Sequence, residues 1–97
     1  MPPAEDISTR LAQLKSQLKQ EYPISELGIF GSYARGEQQS DSDLDVLVAF
    51  EGPVTLFDLV RLENELTDEL GIDVDLVTKD SLHPRIESRV TDDLVVV

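Results

Sequence analysis

Apolar residues recur along the first third of the chain at helical spacing. Ile7, Leu11, Leu14 and Leu18 stand four, three and four positions apart, with Ala12 and charged residues between them. That pattern predicts an amphipathic helix over 5–21. Asp6 or Ser8 suits its N-cap, Lys15 and Lys19 fall toward the end favoured by the helix dipole, and Pro23 opposes continuation. Leu27 to Phe30, ended by Gly31-Ser32, reads as a first strand. Tyr33 to Gly36 suits one helical turn and 37–42 a loop. Leu44 to Phe50 is apolar on both faces after Asp45, as a buried central strand would be, and Gly52-Pro53 breaks it. Thr55 to Leu70 predicts a second helix. Thr55 and Asp58 form a weaker capping box, Leu59, Leu62, Leu66 and Leu70 the apolar stripe with Leu56 and Phe57 at its start, and Gly71 the C-terminal glycine. Ile72 to Val77 alternates as a third strand. Lys79-Asp80-Ser81 is a turn, Pro84 opens a third helix to about Thr91, and Leu94 to Val97 is either a last short strand or a frayed tail. The order is helix, strand, strand, helix, strand, helix, with no repeat, low-complexity stretch or linker. It predicts an α/β fold, a small mixed β-sheet with flanking helices, as one domain over 1–97.

Composition narrows the class. A chain of 97 residues builds one hydrophobic core and not two, and its 40% hydrophobic content argues against disorder. The absence of cysteine excludes disulfides, zinc–thiolate sites and thiol catalysis, and fits a cytoplasmic location. No apolar run approaches the ~20 residues that span a bilayer. The N-terminal Met1-Pro2-Pro3-Ala4-Glu5-Asp6 lacks the basic start and apolar centre of a signal peptide. The net charge of −12 repels phosphates, so direct nucleic acid binding is not expected. The same field suits divalent cations and a basic protein partner, and part of it serves solubility alone.

Three familiar motifs fail on inspection. Gly31-x4-Gly36 has the spacing of a P-loop, but Glu37-Gln38 stand where lysine and a hydroxyl residue are needed. Asp41-x-Asp43-x-Asp45 begins like an EF-hand, yet the sixth position is Val46 and the twelfth Gly52, which removes both the sharp turn and the bidentate ligand. Gly28-x-x-Gly31 does not match a dinucleotide fingerprint. With a single histidine, His83, a zinc site is not expected either.

Another constellation survives. Gly31-Ser32 after a strand offers backbone amides and a hydroxyl to a phosphate. Asp43 and Asp45 follow, two positions apart and so on one face of a strand, with Leu44 and Val46 turned toward the core. Asp75 lies in another apolar strand. Aspartate is common at strand entries, which is the plain reading of Asp41 and Asp43, and Asp73 suits a solvated strand start. A charge within an apolar strand is costly to bury without a partner, and that applies to Asp45 and Asp75. Three carboxylates converging from two adjacent strands would bind one or two Mg²⁺ ions that bridge a nucleotide triphosphate.

These residues closely resemble the minimal nucleotidyltransferases of the DNA polymerase β-like superfamily, and among them the MNT (MntA-type) antitoxins of HEPN–MNT toxin–antitoxin pairs. The family pattern is Gly-Ser-x-Ala-Arg-Gly, a polar loop, then Ser-Asp-x-Asp. Gly31, Ser32, Ala34, Arg35, Gly36, Ser42, Asp43 and Asp45 match it, and Val74-Asp75-Leu76-Val77 matches the context of its third carboxylate. The resemblance implies a polymerase β-like nucleotidyltransferase fold. It also implies Mg²⁺-dependent transfer of AMP from ATP to a hydroxyl, a tyrosine, of a cognate HEPN toxin, which silences that toxin within a hetero-oligomer. By the same resemblance Asp43, Asp45 and Asp75 are the catalytic and metal-binding carboxylates, and Gly31, Ser32, Arg35 and Ser42 hold the nucleotide. Arg35 also suits pairing with a nearby carboxylate to fix the turn. Two other readings stay open: an antitoxin acting by contact alone, and a nucleotidyltransferase acting on a small molecule.

Overall fold

The structure, a computed structural model, describes residues 4–37, 39, 43–79 and 92–97, with backbone alone for 4–6. In chain order the elements are α1 (Ala4–Glu21), β1 (Ile24–Phe30), α2 (Ser32–Arg35), β2 (Leu44–Phe50), α3 (Leu56–Leu70), β3 (Val74–Thr78) and β4 (Val95–Val96). The strands form one mixed sheet in the order β3-β2-β1-β4. β1 is antiparallel to both β2 and β4, while β2 and β3 run parallel with α3 as their crossover. Among the described residues no helix is long and apolar enough to cross a membrane.

One core joins the helices to one face of the sheet. Ile7, Leu11 and Leu18 of α1 and Leu62, Leu66 and Leu70 of α3 pack against Leu27 and Ile29 of β1 and Leu44, Val46 and Val48 of β2. Leu11, Leu27, Leu44, Val46, Val48 and Leu62 are completely inaccessible to solvent. β2 is the central strand, as its composition predicts, and Leu47 on its other face is buried too. Burying both faces removes the polar alternation of a surface strand. Tyr33 of α2 enters the same core.

The helix ends follow the expected chemistry in α3. Thr55 and Asp58 make a complete capping box, and Gly71 closes the helix at φ 73° with its N–H bonded to Thr67 O. The capping bonds to Thr55 hold the Asp58 carboxyl below its ordinary range. The apolar stripe begins later than its spacing implies: Leu56 and Phe57 are largely exposed, so this first turn rests on its cap rather than on burial. α1 begins at Ala4, which places Asp6 and Ser8 inside the helix and not at its cap.

Two strand boundaries also differ from the pattern-based reading. β1 starts at Ile24 rather than Leu27. Ile24 pairs with Phe50 and Glu26 with Ala49, so Ser25 is an extra residue in a bulge. The bulge returns Ile24 to the core face shared by Leu27 and Ile29, and so breaks the strict alternation that marks a strand in sequence. β3 covers Val74–Thr78, because Ile72 and Asp73 complete the exit from α3. The proposed third helix from Pro84, the turn at Asp80-Ser81 and His83 lie outside the described residues.

The C-terminal residues form a paired strand and not a frayed tail. Gly28 and Ile29 face Val96 and Val95, Val97 N donates to Leu27 O at 2.9 Å, and Lys15 Nζ donates to Val97 O at 2.7 Å. Gly28 makes this approach possible: a Cβ there would stand 2.7 Å from Leu94 Cδ1 and 2.9 Å from Val95 O. Gly28→Ala should therefore cost about 2 kcal/mol in urea unfolding, since a backbone oxygen cannot give way as a side chain can. It should also speed amide exchange at Val97. Unchanged stability and exchange would show that β4 does not lie this close to β1.

Candidate active site

Two adjacent strands, β2 and β3, deliver the carboxylates, and β1 ends beside them. Phe30 pairs with Asp45 across β1 and β2, and Asp45 pairs with Asp75 across β2 and β3. Residues in register project to the same face of a sheet, so Asp45 and Asp75 are neighbours on the side away from the Leu44–Val46 core. Asp45 is half-buried. Asp43 precedes β2 and is exposed, so it borders the strand instead of belonging to it. Asp75 is exposed as well: among the described residues β3 is an edge strand, with a neighbour on the β2 side. The burial argument made from sequence thus holds in part for Asp45 and fails for Asp75, whose placement rests on register alone.

The electrostatics centre on Asp45. Burial raises its carboxyl above the ordinary range, the charges of Asp75 and Asp43 raise it further, and Arg35 pulls the other way. Asp45 also explains Gly31. That residue has φ 75°, a region disfavoured by side chains, and a Cβ on it would overlap Oδ2 of Asp45. Only glycine lets the chain leave β1 so close to the carboxylate.

The Gly31 turn leads directly into α2. Ser32, its first residue, is half-buried, and the first amides of so short a helix have no carbonyl partner within it. Arg35 N donates to Gly31 O and Glu37 N to Ser32 O, and Gly36 ends the turn at φ 72°. The Arg35 side chain meets two carboxylates: Nε donates to Glu37 Oε2 at 3.1 Å and Nη1 to Asp93 Oδ2 at 2.6 Å. Of the two roles open to Arg35 in sequence, pairing with nearby carboxylates is the one seen here. Glu37 lies close enough in the chain to be anticipated. Asp93, 58 residues away, was missed because no spacing signal links it to the turn. Ser42 and Asp41 fall outside the described residues.

The donor chemistry fits a hard divalent cation. Asp43, Asp45 and Asp75 offer only carboxylate oxygens, and the carboxyl of Asp45, raised by burial first and by the charges of Asp75 and Asp43 after it, is one whose charged form a cation would favour. Among the described residues no three acidic or histidine side chains close into a group that could hold a metal by themselves. Mg²⁺ does not require one, since it commonly takes one or two carboxylates and completes its shell with water and substrate phosphate.

Comparison with known proteins gives a consistent picture. The family described as nucleotidyltransferase domain matches residues 11–97. The protein adenylyltransferase MntA of Thermococcus cleftensis is 42% identical over 93 residues, 96% of this chain and 94% of that one. A solved structure provisionally called a minimal nucleotidyltransferase has a TM-score of 0.77 at 38% identity, covering 94% of this chain and 95% of its own. A crystal structure of a mutant of the toxin–antitoxin MntA-HpeT has a TM-score of 0.76 at 25% identity, over 90% of this chain and 70% of its own. The small mixed sheet with flanking helices is the polymerase β-like nucleotidyltransferase fold expected from the sequence.

The raised carboxyl of Asp45 sets a pH dependence. The folded chain holds this proton more tightly than the unfolded chain does. Its contribution to stability is therefore full below the ordinary carboxylate value and is lost as pH rises through the raised one. In metal-free buffer Asp45→Asn should melt at a higher temperature than wild type near pH 7, with the gap closing toward about pH 4. A gap of the opposite sign, or one independent of pH, would mean that burial and the neighbouring charges do not raise the Asp45 carboxyl.

Proposed function

This chain belongs to the nucleotidyltransferase domain family, and from that premise we propose that it is an antitoxin adenylyltransferase. It moves AMP from Mg²⁺-bound ATP to a hydroxyl, a tyrosine, of a cognate HEPN-family toxin and so silences it. One observation carries the reading: Asp45 and Asp75 stand in register on adjacent strands, with the Gly31–Ser32 turn beside them. The similarity to MntA supports adenylyl transfer to protein, and the likeness to a toxin–antitoxin structure supports the class of partner.

The residues divide the work by position. Asp43 and Asp45 would hold the cation, with Asp75 beside them on β3 to complete its shell. Mg²⁺, when bound there, supplies positive charge against the triphosphate and the departing pyrophosphate. Ser32 and the amides of the Gly31–Ser32 turn hold the β- and γ-phosphates, and Arg35 and Ser42 add to that grip. The acceptor oxygen attacks the α-phosphorus, the bond to the β-phosphate bridging oxygen breaks, and Asp75 takes the hydroxyl proton. The exposure of Asp75 suits an acceptor that arrives on the surface of another protein.

Intact-mass spectrometry of a co-expressed HEPN partner tests the proposal. The partner should gain one or more AMP units with the wild-type chain and none with the Asp43→Asn, Asp45→Asn double variant. Loss of toxicity without added mass in either case would replace transfer with neutralisation by contact. Ser32→Ala should lower the efficiency of ATP use by about tenfold, near the value of one hydrogen bond to a charged group. An unchanged KM and kcat would place the phosphates elsewhere.

A further inference from the structure

Arg35 and Asp93 join the Gly-Ser turn to the C-terminal segment by the shortest side-chain ion pair described, 2.6 Å from Nη1 to Oδ2. The surroundings of the two partners differ. The Arg35 side chain is 44% exposed, and its other partner, Glu37, is 68% exposed on a loop. The Asp93 side chain is 24% exposed and sits just before β4. That strand is held to β1 by its pairing with Gly28 and Ile29 and by Val97 N to Leu27 O, and to α1 by Lys15. Asp93 is thus delivered to Arg35 by a segment pinned at several points, whereas Glu37 follows α2 on an exposed stretch tied back by its N–H to Ser32 O.

We infer that Asp93 is a positioning residue for the nucleotide site: it holds the Arg35 guanidinium beside the Gly31–Ser32 turn, oriented toward the phosphates of a bound nucleotide. The inference rests on the nucleotidyltransfer reading above and extends it to the C-terminal residues. A guanidinium has five N–H donors, and among the described residues the bonds to Glu37 and Asp93 engage two of them. Arg35 is the last residue of the four-residue helix that starts at Ser32, so its guanidinium springs one helical turn from the amides of the Gly31–Ser32 turn. An unheld arginine carries large rotamer freedom, which must be lost when it grips a phosphate. A partner that removes that freedom beforehand strengthens binding without touching the ligand.

Isothermal titration of Mg²⁺ with AMP-PNP, an ATP analogue, into the full chain tests this. Asp93→Asn should weaken binding by about fivefold, the upper range for a partly exposed ion pair. Asp93→Glu, which keeps the charge, should recover most of that loss. In an Arg35→Ala background Asp93→Asn should add nothing, because its effect passes through the guanidinium. Affinity that is unchanged or tighter in Asp93→Asn, even with a lowered melting temperature, would make the pair a strand anchor or a competitor for Arg35 and overturn the inference. A loss that persists in the Arg35→Ala background would overturn it as well. A wild-type chain that fails to bind Mg²⁺ and AMP-PNP would overturn the nucleotidyltransfer reading itself, a result distinct from either.

Discussion

β2 is bonded on both edges and buried on both faces, and the position of every other functional residue follows from that. Its alternation sends Leu44, Val46 and Val48 into the core and leaves Asp45 on the opposite side. Sliding the strand by one residue would turn the half-buried aspartate into the core in place of an apolar side chain, so the register is held by the cost of desolvating that charge. Once β2 is placed, β3 pairs with it in parallel and brings Asp75 beside Asp45. β1 ends opposite Asp45 at Phe30, and the turn that follows must pass the carboxylate, which only a glycine permits. The core and the site are thus two faces of one strand.

This strand carries a charge that its surroundings disfavour. Asp45 is half-buried next to two like charges, and its raised carboxyl is the physical trace of that conflict. A ligand that brought positive charge would relieve the conflict and be bound the more tightly for it. The flanking carboxylates do not share the burden equally. Asp43 and Asp75 are exposed, one before a strand and one on an edge, and can meet solvent, substrate or a large acceptor without rearrangement of the core.

The C-terminal strand gives the small sheet a fourth member and a second link to the site. Two short residues of pairing would be a weak attachment alone. Lys15, the close approach at Gly28 and the Arg35–Asp93 pair supplement it from three elements. The segment therefore ties α1, β1 and α2 together around the turn that would face the phosphates.

What the sequence determined by itself was local. The apolar periods of α1 and α3, the capping box at Thr55, the terminal Gly71 and the apolar run of β2 are each decided by neighbours within a few positions, and all were legible. The Gly-Ser turn was legible for the same reason, its residues lying in one stretch. Tertiary structure decided the rest. The start of β1 depends on a bulge that only its pairing with β2 reveals, and the exposure of Asp75 on the edge position of β3. The partnership of Arg35 with Asp93 depends on where β4 docks, 58 residues further on. Contacts between distant segments are set by the free energy of the whole packed chain, and no spacing along a single stretch encodes them.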